Sequence, residues 1–122
     1  MVLMAAALAI FIGIVHSVLG EKYILMRLFR QSLPQLFGDD RFTRQTLRFV
    51  WHVTSVAWAG FAVVLMLIHF EGISRSSLLL SIGTTFAITT IIALLASRGR
   101  HLSWIVFGAI AVICYVSTLA AG

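Results

Sequence analysis

From residue 1 to residue 20 the chain carries no Asp, Glu, Lys or Arg, and the same is true of 49–70, 76–97 and 102–121. Uncharged apolar runs of about 18 or more residues, rising 1.5 Å per residue, reach across a hydrocarbon layer about 30 Å thick. Four such runs in 122 residues leave little chain for anything else. Composition agrees. Hydrophobic residues make up 61% and charged residues 11%, against about 25% charged in soluble domains, and a water-soluble core of this size could not bury so much apolar surface.

The expected fold is an all-α integral membrane protein, with four transmembrane helices in an antiparallel bundle and a basic helical connection between helices 1 and 2. The spans are placed at about 1–20, 49–70, 76–97 and 102–121, within one four-helix domain covering 1–122. The links at 71–75 and 98–101 are short enough to make spans two and three, and three and four, antiparallel neighbours. Val18-Leu19-Gly20 has the small-residue look of a signal cleavage site. The run before it lacks a positively charged leader, so 1–20 is expected to remain as a span.

Orientation follows from the basic residues. Lys22, Arg27, Arg30, Arg41, Arg44, Arg48, Arg98 and Arg100 fall at one end of the spans and only Arg75 at the other. The positive-inside rule puts the 21–48 connection in the cytoplasm and both termini outside. Compact topology and size give a bacterial inner membrane as the expected location. A net charge of +5 in this setting speaks for anionic lipid head groups as partners and not for nucleic acid.

Within the connection, Tyr23, Ile24, Leu25, Leu28 and Phe29 keep helical spacing, so the first helix is expected to continue past the membrane surface until Pro34 stops it. The stretch 32–38 reads as a single turn with a serine cap and a glycine stop. Asp39 or Asp40 is placed to cap the helix that leads through Arg41, Arg44 and Arg48 into span two.

His16 and His52 are the residues of chemical interest. Each lies about four residues, or roughly 6 Å, inside the basic end of its span, so the two imidazoles share one leaflet on adjacent helices. Ionisable side chains at such depth mark functional sites by default. Arg48 is one turn from His52, Glu21 closes span one at the level of Arg48, and Gly13 and Gly20 leave room around His16. Imidazoles from two helices with a cation above them are what a b-type haem needs, Arg48 facing a propionate. A transition metal would draw on His16, His52 and Glu21, one ligand short of a closed zinc site.

Other readings stay open. The histidines can be hydrogen-bonded structural groups, with Glu21 and Arg48 an interfacial ion pair. Ala5, Ala9, Gly13 and Ser17 form a small-residue stripe at four-residue spacing, suited to close helix packing. Such surfaces fit a non-catalytic accessory or assembly subunit of a larger membrane complex, or a homo-oligomer. Ser81, Thr84, Thr85, Thr89 and Thr90 on helix 3 fit a hydroxyl-lined path through a small oligomeric channel or transporter. The lone Cys114 is expected to be an apolar filler.

Overall fold

A computed structural model describes residues 1–120. It contains four helices: α1, Val2–Leu28, which includes a π-helical turn at Gly20–Leu25; α2, Arg41–His69; α3, Arg75–Ser97; and α4, Ser103–Leu119. No strand occurs among the described residues; an isolated bridge joins Leu36 and Asp39. The first three helices are long and apolar enough to cross a membrane. The fourth is apolar but has 17 residues, at the lower limit of spanning length.

The helix ends are set locally. Ser74 and Ser77 form a reciprocal capping box at the start of α3, with the Ser77 N–H donating to Ser74 Oγ at 2.9 Å and the Ser74 N–H to Ser77 Oγ at 2.8 Å. At its far end Gly99, in the left-handed region at φ +78°, donates its N–H to the Leu94 carbonyl, the wrap that closes a helix where a side chain is disfavoured.

The link between α1 and α2 departs from expectation. Residues 32–38 form no capped helical turn. The chain runs without helix from Leu33 to Gln35 and reverses at Phe37 and Gly38, whose φ angles of +60° and +92° make a tight turn of the primed kind. Pro34 keeps this stretch out of helix. Arg44 then straps it down, donating to the carbonyls of Phe29 and Gln31 and pairing with the Asp40 carboxylate. Asp39 Oδ1 accepts from the Arg41 N–H at 3.1 Å, so the two aspartates divide the work of opening α2.

Backbones of different helices come within 8 Å only between chain neighbours: α1 with α2, α2 with α3, α3 with α4. The α1–α2 and α3–α4 pairs are the tighter hairpins. Between them, at the α2–α3 seam, Gly60 lies so close to Thr85 that a Cβ would stand 2.5 Å from its Oγ1. Apolar grooves of about 480 and 410 Å³ flank this seam. Large apolar side chains such as Phe11, Phe61, Ile91 and Ile113 point outward.

Candidate functional site

The polar groups gather at the basic end of the first hairpin. The Glu21 carboxylate receives Arg48 Nη2 at 2.7 Å and Arg48 Nε at 3.2 Å, and lies 3.2 Å from His52 Nε2. The other ring nitrogen, His52 Nδ1, is 3.0 Å from Ser17 Oγ. Ser17 donates to Ser55 Oγ at 2.8 Å, and Ser55 donates to the Gly13 carbonyl at 2.9 Å. A continuous series of contacts thus runs from Arg48 through Glu21, His52, Ser17 and Ser55 to the α1 backbone. Every step but Arg48–Glu21 lies partly buried, and every step crosses between α1 and α2.

Beside it, Trp51 closes the hairpin. Its indole N–H donates to the His16 carbonyl at 3.0 Å, and its ring rests on Gly20, where a Cβ would come within 2.0 Å of Nε1. Only glycine admits this approach. The π turn begins at the same residue. An indole that shares a carbonyl of the α-helical ladder is one of the insertions that perturb a helix, and π turns gather where such perturbation occurs.

His16 and His52 lie at the same level of the hairpin but have separate partners. The His16 ring stacks on Trp51 at 4.6 Å with planes 5° apart and meets Trp58 at 5.0 Å in an edge arrangement. Its Nε2 is buried with no hydrogen-bond partner. Among the described residues, no three His, Cys, Asp or Glu side chains come together as a metal group. Both ring nitrogens of His52 are engaged, and Nε2 of His16 is buried. His101 stacks on Phe42 and meets Phe49 edge-on, away from the pair.

Of the small-residue stripe, Gly13 and Ser17 face Ser55, Ala9 is half-buried and Ala5 is exposed. Ala6 is buried in its place, at 1% exposure, and seven residues on from Gly13–Ser55 the antiparallel register brings it level with buried Ala62. On α3, Thr85, Thr89 and Thr90 each donate to the carbonyl four residues back, at 2.8 to 2.9 Å, and Thr84 meets Tyr115 at 3.1 Å. The hydroxyl protons of Thr85, Thr89 and Thr90 are thus committed within α3.

Sequence alone did not single out Trp51 as a site residue and did not link Ser17 to His52. The signal was present in the pairing of His16-Ser17 and Gly20-Glu21 with Arg48, Trp51-His52 and Ser55, each set repeating at one-turn intervals. No protein-family model, curated protein or solved structure matches the chain.

Proposed function

We propose that the protein spans a bacterial inner membrane with four antiparallel helices, termini outside and the 21–48 connection in the cytoplasm, and serves as a non-catalytic accessory or assembly subunit of a larger membrane complex. One observation carries this: the polar side chains of the first hairpin are used between α1 and α2, while bulky apolar side chains on all four helices face outward. A hairpin locked from within and apolar without suits a helical partner more than a small substrate. The test is site-specific photocrosslinking in native membranes from Phe61, Ile91 and Ile113. A discrete crosslinked product with another membrane protein is expected; lipid adducts alone at all three positions would defeat the proposal.

A second reading keeps one observation on its side, the unpartnered Nε2 of His16. It makes His16 and His52 ligands of a b-type haem or a transition metal, with Arg48 toward a propionate, and it requires His52 to leave Ser17 and Glu21. Detergent-purified protein would then show a Soret band or stoichiometric metal. Colourless, metal-free protein would dispose of it.

A further inference from the structure

We propose that Lys22, Tyr23 and Arg27 form a binding site for the phosphate of an anionic lipid head group in the cytoplasmic leaflet. The proposal rests on the topology just given and names the residues that would take the lipid.

The site is a product of the π turn. Ala6, Gly13 and Gly20 are the residues α1 buries in its apolar part, a seven-residue repeat whose next member is Arg27. A helix continued without interruption would carry that guanidinium toward α2. The wider turn at Gly20–Leu25 shifts the face by about one residue, so Leu25 is buried at 2% exposure and Arg27 is exposed. Lys22 Nζ then lies 5.4 Å, and the Arg27 guanidinium carbon 5.8 Å, from the centre of the Tyr23 ring. Two cations five residues apart share one half-exposed aromatic ring.

A charge inventory shows what is missing from this cluster. The chain has four acidic side chains. Glu21 is taken by Arg48 and His52, Asp40 by Arg44 and Asp39 by Arg41. Glu71 is at the opposite end of α2. Lys22 and Arg27 therefore flank the Tyr23 ring without an acidic side chain to balance them. Ile24 and Met26 stand exposed beside them at 49% and 50%, giving apolar surface for acyl chains next to the charged group. Tyrosine favours this depth, where its ring is apolar and its hydroxyl wet, and basic groups next to a span attract anionic lipid. Arg98 and Arg100 share no such ring, which makes them the control.

The experiment uses the full chain in nanodiscs containing equal phosphatidylglycerol and phosphatidylcholine, with the lipids retained on release read by native mass spectrometry. Wild-type protein is expected to retain phosphatidylglycerol preferentially, and millimolar inorganic phosphate should not displace it. Lys22→Gln and Arg27→Gln should each lower the preference about fivefold, whereas Arg98→Gln with Arg100→Gln should leave most of it. Equal loss from both pairs would show diffuse charge attraction and overturn the site, as would absence of preference in the wild type. Displacement by inorganic phosphate would overturn the lipid assignment. Failure of the membrane reading is seen separately, as protein that alkaline extraction removes from the cell membrane fraction.

Discussion

The α1–α2 hairpin and the α3–α4 hairpin contain similar apolar helices, but they are closed by different means. Between α1 and α2, Trp51, His52, Ser55 and Arg48 reach across to the His16 and Gly13 carbonyls, Ser17 and Glu21. Between α3 and α4 one side-chain hydrogen bond crosses, Thr84 to Tyr115, and closeness comes from small residues. A Cβ on Gly83 would stand 3.0 Å from Cys114 Cβ and 3.2 Å from the Tyr115 ring, and Gly108 faces Thr90. Apolar burial gives little advantage over lipid inside a bilayer, so a hairpin there needs close packing or interhelical hydrogen bonds. The α3–α4 half is closed mainly by close packing, the α1–α2 half adds a series of interhelical hydrogen bonds to its Gly20–Trp51 contact, and this polar half is the one beside the long basic connection.

Substitution at glycine should separate the halves most sharply. Gly20→Ala places a methyl group where the Trp51 indole lies, and because the indole is fixed by its bond to the His16 carbonyl it cannot yield cheaply. A loss of about 3 kcal/mol or more is expected, read as a lower midpoint in mixed-micelle unfolding with altered tryptophan emission. Gly83→Ala should cost about 1 kcal/mol, since a 3.0 Å contact asks its neighbours to move by only a few tenths of an ångström. Gly13→Ala, with nearest contact at 3.6 Å, should be near neutral. Reversal of this order would show that Trp51 does not hold the first hairpin.

The shared carboxylate comes next. Glu21→Gln removes the charge that Arg48 and His52 both face, and a cost of about 1–2 kcal/mol is expected, reduced by the partial exposure of all three groups. Arg48→Gln should cost less because His52 keeps its contact. The double variant should fall short of the sum. Strict additivity would mean that the pair at 2.7 Å contributes nothing jointly.

Much of this architecture was legible in the chain. Apolar runs at 49–70 and 76–97 correspond to helices ending at His69 and Ser97, because hydropathy reports directly on length along an axis. Relative level along the hairpin was legible for the same reason: counting 1.5 Å per residue put His16 and His52 at one level, where Trp51 and His52 meet His16 and Ser17. What counting cannot supply is azimuth. Adjacent residues on a helix differ by about 100°, so whether His16 or Ser17 meets His52 depends on how the helices are rotated, and Gly20 beneath Trp51 fixes that rotation. The π turn was illegible because it begins at a contact made by a residue 31 positions later. The Phe37–Gly38 reversal was missed because a phenylalanine at positive φ has no local signature.

Hydroxyl substitutions test the comparison at finer scale. Ser55→Ala breaks the series between Ser17 and the Gly13 carbonyl and should cost about 0.6 kcal/mol, typical of a membrane hydrogen bond. Thr90→Val removes a hydroxyl that bonds only within α3 and should change stability by about 0.2 kcal/mol or less. Measured together in one unfolding assay, equal costs would contradict the assignment of cross-helix bonding to the first hairpin.

The smallest effect belongs to the strap on the connection. The hydrogen bond from Arg44 holds the Asp40 carboxyl below the usual carboxylate range. Since the folded value is lowered, the ionised form favours the ordered connection, and the contribution is fully present above the unfolded value and disappears as pH falls through the folded one. Hydrogen exchange across 29–40 should therefore be flat from neutral pH to about pH 5 and quicken, relative to the intrinsic rate, only below about pH 4. Asp40→Asn should show faster exchange at neutral pH without that acid-dependent step. That variant should leave Trp51 emission unchanged, because Arg44 bonds to the carbonyls of Phe29 and Gln31 and to Asp40, beyond the Gly20–Trp51 contact that closes the hairpin. A shift in that emission with the strap would join the connection and the clasp into one cooperative unit, and the polar half of the molecule would then extend from Gly13 to Arg44.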